Sequence, residues 1–500
     1  RAGVHAARRT RSCSNRGASG CVTSPRVPDA VTRPPEHPAA ALPFEPHEGI
    51  APVAVREDRA AAAHLVSDPL PATIMRLAIP AVASTLLMTL FASVDAFWVG
   101  TRIGSEGLAA VATSIFWIWL IIAVAEMVSI GLTAFAARRY GELRHDDARR
   151  AAGTALVFTL VSGVVVAAIG LAMLPWMFSL MRMSPAVTAL GTQYLGTFLL
   201  GTPLIFGFFA VDAAFRAAGD SKTPFVLLSV SVGVTLFIDP LLIMGLGPFP
   251  ELGIAGAAIG TVATRAVAFA FGVRIARRRD LIRFGRFDWR ALGTICRIGL
   301  PTATTGVVFS LIYVFVTRSA TQFGTPALAA LGIGHRVESW LYMIAVGCSA
   351  ATAAIVGQNI GAGRVDRAAR AGWLATGFCS TLGVVFCVVE LIIPAQFASL
   401  FSNDPAVIAE GANYLRIAAI SQLAICAEIV LEGALGGAGH TVAPMLSSTS
   451  ITIARVPLAA WAAANWGPSG IWWVISLTAI VRALAMVALW RAGGWKLKSV

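Results

Sequence analysis

The sequence predicts an all-α polytopic membrane protein. Twelve transmembrane helices form two six-helix repeats, related by a pseudo-two-fold axis along the membrane normal. Three observations predict this. Apolar stretches near or above twenty residues recur from Ile74 onward, with 151–175, 194–214 and 376–394 as examples. Each can cross a hydrocarbon core of roughly 30 Å as a helix. Basic residues gather in alternate connections. Motifs recur at a steady offset of about 220 residues. The chain is 57% hydrophobic and 13% charged, with mean hydropathy +0.74, too little charge to cover a soluble surface. The stretches are continuously apolar without a period of two, which excludes a barrel.

Residues 1–70 are rich in Ala, Arg and Pro and are expected to be a disordered extension. Their first thirty or so positions are Arg-rich and acid-poor, as in a transit peptide, but a plain tail or a start site placed too far upstream explains the same composition. The first lobe is expected over 71–285. Its spans are 74–100, with Pro80 and Asp95; 107–137, with Glu126; 148–177; 187–217; 223–246, with Asp239 and Pro240; and 253–277. The second lobe is expected over 286–500. Its spans are 292–319, with Pro301; 327–357, with His335 and Glu338; 367–394, with Glu390; 406–436, with Glu428 and Glu432; 441–464; and 468–491. Pro80 and Pro301 lie early in their spans and read as ordinary helix starts.

The net charge is +13. It resides in short connections, such as Arg138, Arg139, Arg144, Arg149 and Arg150, then Arg274 to Arg290, then Arg364, Arg367 and Arg370, with Lys496 and Lys498 in the tail. The alternate connections are nearly bare. This is topology signalling rather than a nucleic-acid footprint, and it places both termini on the cytoplasmic side of an inner or plasma membrane. Seven Cys are present without a CxxC pair or Cys/His cluster, so no metal site or disulfide scaffold is expected. No HExxH, GxSxG or paired catalytic carboxylate motif occurs, so neither an enzyme nor a cofactor is expected.

The repeat is explicit. Arg-Leu-Ala-Ile-Pro (76–80) matches Arg-Ile-Gly-Leu-Pro (297–301), and Arg-Tyr-Gly-Glu-Leu-Arg (139–144) matches Asn-Ile-Gly-Ala-Gly-Arg (359–364). Tyr194 matches Tyr414, and Ala-Gly-Asp-Ser-Lys-Thr-Pro (218–224) matches Ala-Gly-His-Thr-Val-Ala-Pro (438–444). Two like bundles can rock about a central cleft, the geometry of alternating access.

Acids inside apolar spans are the candidate site residues, because a carboxylate at mid-bilayer costs about 2.5–3.5 kcal/mol on insertion scales. Asp95 and Asp239 are ion-coupling candidates; against them stand snorkelling near Trp98 and Arg102 for Asp95, and capping of a kinked half-helix for Asp239. Pro240 frees the Leu236 carbonyl, a possible seat for a hard cation beside Asp239, and Thr235 lies one turn earlier. His335 and Glu338 share a helix face and read as a proton relay or a local ion pair. Glu428 and Glu432 share a face too; they attract a cationic substrate in the cleft or pair with Arg416 or Arg455. Glu126 and Glu390 are lone acids, Glu390 nearer a span end.

Val-Asp-Ala-Phe-Trp-Val-Gly (94–100), Phe-Arg-Ala-Ala-Gly-Asp (215–220), Ile-Asp-Pro-Leu-Leu-Ile (238–243), Leu-Gly-Ile-Ala-Gly-Ala-Ala (252–258) and Gly-Gln-Asn-Ile-Gly-Ala-Gly (357–363), in that order, resemble the multidrug and toxic compound extrusion (MATE) family over about 74–490. Gly-His-Arg-Val-Glu-Ser (334–339) is similar to the DinF-like bacterial branch. The resemblance implies efflux of small, often cationic, organic compounds coupled to H⁺ or Na⁺, with Asp95 and Asp239 carrying the ion. The NorM-like branch adds a Glu on helix 7 and an Asp on helix 10. Here the middle of the seventh span, 292–319, reads Val308, Phe309, Ser310, and neither Glu428 nor Glu432 aligns firmly with that Asp. The expected partners are the organic substrate, the coupling cation and the lipid bilayer, with no nucleic acid, and the protein is expected to be a monomer. A lipid-linked oligosaccharide flippase or exporter of the same superfamily is the alternative, and it would lean on cationic cleft residues.

Overall fold

Helices begin where the chain supplies a cap and end where it supplies a turn. The computed structural model describes residues 65–181, 184–245 and 250–497. Most of the expected disordered extension, with Cys13 and Cys21, lies outside the described residues, as do Arg182 and Lys498. The first half comprises α1 (Leu70–Arg102), α2 (Ser105–Gly141), α3 (His145–Met181), α4 (Pro185–Ala217), α5 (Lys222–Met244) and α6 (Ile254–Arg278). The second comprises α7 (Trp289–Thr321), α8 (Thr325–Gly361), α9 (Val365–Ile392) and α10 (Pro405–Gly437), then the stretch Val442–Ala492. That stretch has 51 residues, about 76 Å of helix, too long for one crossing. Gly467 (φ 62, ψ −151) breaks it into arms 442–466 and 468–492, here α11 and α12. Twelve helices long enough to cross a membrane therefore stand among the described residues.

The caps are local chemistry. Ser184 Oγ accepts from Val187 N at 3.3 Å, opening α4. Asp288 Oδ1 accepts from the N–H groups of Arg290 and Ala291, opening α7, and Asp404 Oδ1 accepts from Ala406 N, opening α10. Gly104 and Gly324, about one repeat apart, precede α2 and α8 with φ 87 and 83, a conformation that favours glycine. The ninth span stops short of the expected 394: α9 ends at Ile392 and a separate short helix, Pro394–Ser399, follows, because Pro394 cannot supply the N–H that would continue α9. One expectation is corrected. Pro80 and Pro301 stand inside α1 and α7, not at their starts. The residues before each proline, 70–79 and 289–300, are helical, and the helix continues through it.

Two kinds of core distinguish the ends of the molecule. Near the Arg-rich connections the halves share cores. Leu70, Ile74 and Leu77 of α1 pack with Leu341, Ala345 and Ile355 of α8, and Ile295 of α7 packs with Leu132 and Phe135 of α2. Glycines let backbones touch there: a Cβ on Gly131 would overlap the Ile295 carbonyl oxygen, and one on Gly299 that of Met127. Toward the opposite end each half has its own core. Val99, Val187, Tyr194, Ile243 and Ile254 form one; Val316, Leu331, Tyr414, Ile471 and Trp472 form the other. The halves thus join at the Arg-rich end and part toward the other. Large apolar side chains such as Val161, Phe237, Val385 and Leu484 are exposed, as expected of a surface solvated by lipid tails.

Candidate ion and substrate sites

The first half gathers its acids between α1, α4, α5 and α6. Asp95 of α1 is 5% exposed and Asp239 of α5 1% exposed. Tyr194 Oη of α4 donates to Asp95 Oδ2 at 3.4 Å. Asp239 Oδ1 lies against Gly260 of α6, where a Cβ would collide with it. Thr235, one turn before Asp239, bonds Thr264 Oγ1 of α6 at 2.7 Å and Ser231 O at 2.8 Å. The structure thus brings Asp95, Asp239 and Thr235 to one place. Asp95 acts on Asp239 electrostatically, and both carboxylates act on Tyr194. Asp95 Oδ1 and Asp239 Oδ1 are buried without a hydrogen-bond partner. Two such oxygens, near a hydroxyl pair, can take a proton or a small hard cation. The half-buried Arg265 of this half serves other groups, lying over the Phe208 ring at 5.7 Å and feeling the charge of Asp212.

The second half repeats the acid–tyrosine theme with different parts. Tyr414 Oη of α10 donates to Glu338 Oε2 of α8 at 3.2 Å. His335 packs its ring edge-on to Tyr313 of α7, with centroids 4.1 Å apart. Glu428 pairs with Arg482 of α12, whose guanidinium lies 5.7 Å from the Phe309 ring. Arg455 Nε of α11 donates to Thr478 Oγ1 at 2.8 Å. Two sequence expectations change here. The ion-pair partner of Glu428 is Arg482, brought close by the break at Gly467, rather than Arg416 or Arg455. Glu390 does lie near an end, two residues before α9 stops at Ile392, but it is not without a partner: it is 0% exposed, and Gln422 Nε2 donates to both its oxygens at 3.0 and 2.9 Å. Glu432 and Glu126, from opposite halves, both act on Tyr342 of α8, as do Glu428 and Arg482.

Sequence reasoning missed Tyr194, Thr264 and Gly260 as site residues. The recurrence of Tyr194 at Tyr414 was the available signal, because both turned out to hold an acid.

A bundle of two like six-helix halves, joined at one end and holding buried acids in each, defines a multi-pass membrane transport protein. The profile of the MatE family matches residues 80–241 and 301–461, one match in each half, and the chain belongs to that family. The "Probable multidrug resistance protein NorM" of Thermotoga maritima is 27% identical over 445 residues, covering 85% of this chain and 93% of that one. A protein of the same description from Deinococcus radiodurans is 30% identical over 400 residues, with 75% and 84% covered. The "FAD transporter" of Shewanella oneidensis is 25% identical over 430 residues, with 84% and 94% covered. Among solved structures, a MOP superfamily transporter from Pyrococcus furiosus superposes with TM-score 0.78 at 22% identity, covering 86% of this chain and 97% of that one. The Vibrio cholerae MATE transporter VcmN in the bent form gives 0.76 at 19% identity, with 89% and 100% covered. Likeness at these identities speaks to the fold.

Proposed function

We propose that the protein is a cation-coupled antiporter that exports small organic, often cationic, compounds by alternating access. The observation that carries the reading is the Asp95–Asp239 pair, two buried carboxylates with unpartnered oxygens. Two negative charges at that depth are unfavourable without a counter-ion. The pair therefore holds a proton or Na⁺, and the two acids titrate as a unit. Cargo and cation then compete through the states of the two halves, because a ligand that favours one state weakens a ligand that favours the other. The resemblance to the DinF-like branch supports assigning the coupling to the first half. The acids of the second half, Glu338, Glu428 and Glu432, together with His335, are the candidate cargo contacts. With both termini cytoplasmic, as the basic connections imply, the described state is open to the outside of an inner or plasma membrane. The working unit is a monomer.

One observation speaks for a second reading. Arg455 is buried and Arg482 nearly so, and cationic side chains suit an anionic cargo such as a lipid-linked oligosaccharide pyrophosphate. Arg482 is, however, already paired with Glu428, and Arg455 already donates to Thr478. Purified protein in liposomes loaded with ethidium separates the readings. Dye movement driven by an imposed H⁺ or Na⁺ gradient supports the antiporter. No dye movement under either gradient, with gradient-independent flipping of a fluorescent lipid pyrophosphate, would replace it.

A further inference from the structure

We infer that the Gly-Gln-Asn-Ile-Gly-Ala-Gly run (357–363), with Arg364 and Arg367 behind it, is the latch that holds the two halves together at the Arg-rich end. The inference rests on the alternating-access reading above and names the residues whose bonds must break for the other state to form.

The latch joins side-chain donors of the second half to backbone acceptors of the first half and of the segment that leads into it. Gln358 Nε2 donates to the carbonyl of Ala217, the last residue of α4, at 2.6 Å. The last turn of a helix leaves its carbonyls without intrahelical partners, so the amide satisfies an oxygen that its own half leaves open. Asn359 Nδ2 donates to Leu65 O at 3.2 Å and to Ile355 O at 2.8 Å. Arg364 Nη1 reaches Val66 O at 2.9 Å, and Arg367 reaches Asp68 O. The short segment that leads into α1 is thereby strapped to the start of α9. Gln358 and Asn359 are both 0% exposed.

The backbones beneath these bonds meet without intervening side chains. A Cβ on Gly361 would overlap the carbonyl oxygen of Arg138, and one on Gly141 would overlap that of Gln358. These two contacts are the same contact seen from either half, since Gly141 and Gly361, like Arg138 and Gln358, are one repeat offset apart. The duplication thus built a reciprocal crossing of α2 and α8.

The polar decoration of that crossing differs between the halves. The positions equivalent to Gln358 and Asn359 are Arg138 and Arg139, and both bond Glu142 of their own half, at 3.3 and 2.5 Å. The first half has arginines rather than amides at those positions. Gln358 Oε1 and Asn359 Oδ1 are left without partners in the closed state. Water at a membrane surface can satisfy these oxygens and the released carbonyls once the halves part. A latch whose groups can be solvated on opening is strong enough to close and weak enough to release.

Electron–electron distance measurements in nanodiscs test this. Spin labels go on Cys replacing the exposed Lys222 and Asp366, one in each half, in a background whose native Cys are replaced. Wild type should show a short and a long distance whose ratio responds to Na⁺ or pH. Gly361→Val, and separately the double change Gln358→Leu, Asn359→Leu, should shift the ratio toward the long distance by roughly ten-fold or more. Gly332→Ala, in α8 where a Cβ meets nothing within 4 Å, should leave it unchanged. Asn359→Ala is the milder variant, expected to shift the ratio in the same direction should Gly361→Val not yield monodisperse protein. Wild-type ratios in the latch variants would overturn the latch while leaving alternating access intact. A single unchanging distance in wild type would overturn the alternating-access reading itself.

Discussion

Gly260→Ala adds one methyl group beside Asp239 and changes no charge. In the structure that carbon would fall more than 1 Å inside the 3.4 Å at which ordinary contact with Asp239 Oδ1 begins. Either the carboxylate withdraws by about that distance, or α5 and α6 separate. Thr235 and Thr264 bridge the same two helices at 2.7 Å, so separation would also break that bond. The cheaper response is a turn of the Asp239 side chain, costing about 0.5–1.5 kcal/mol in rotamer strain. A cation seat displaced by 1 Å loses its contacts, and misplacement on that scale can lower a rate by up to about a hundred-fold. We expect coupled efflux in liposomes to fall at least ten-fold, with normal insertion and a monodisperse profile. Gly233→Ala, on α5, meets nothing within 4 Å and should be neutral or stabilising by up to about 1 kcal/mol. Wild-type coupling by Gly260→Ala would refute the claim that the position of Asp239 Oδ1 matters.

Other consequences follow from the second half and the topology. Glu428→Leu leaves Arg482 buried without its partner and should destabilise the protein by about 3–5 kcal/mol, read as a lower midpoint in thermal unfolding; an unchanged midpoint would show the pair to be dispensable. Glu390→Leu strands the Gln422 amide and should cost about 1–3 kcal/mol, whereas Glu390→Gln should keep efflux near wild type; loss of efflux in Glu390→Gln with normal stability would move a coupling role to α9. Cys placed at Ser402 should react with an impermeant maleimide added to intact cells and Cys placed at Gly285 should not; equal labelling would overturn the orientation.

Much of the architecture was legible because the bilayer imposes length and polarity together. A run of apolar residues between Arg-rich connections can hardly be anything but a span, so twelve helices and their duplication could be read directly. The exceptions are physical. Pro80 and Pro301 read as helix starts because each lies early in its expected span, yet α1 begins at Leu70 and α7 at Trp289, well before them. The acids of the first half were found because a carboxylate in an apolar span is conspicuous. Their neighbours were not. Tyr194, Thr264 and Gly260 are ordinary residues of membrane helices, and only the rotation of each helix decides which of them faces Asp95 or Asp239. The partner of Glu428 was missed for the same reason, and because Arg482 comes close only after the chain breaks at Gly467. Gly361 and Gly141 were visible as motif residues, but the contact they allow is a property of two halves at once.

The most direct test of the account is the Asp95→Asn, Asp239→Asn double variant in liposomes, assayed for dye efflux under an H⁺ gradient and, separately, an Na⁺ gradient. Both substitutions keep side-chain shape and remove the charge that holds a cation. The account predicts correctly inserted, monodisperse protein that still binds dye but no longer moves it in response to either gradient. Near wild-type, gradient-driven efflux by the double variant would contradict it and place the coupling ion elsewhere, with Glu338 or the Glu428–Glu432 face as the next candidates.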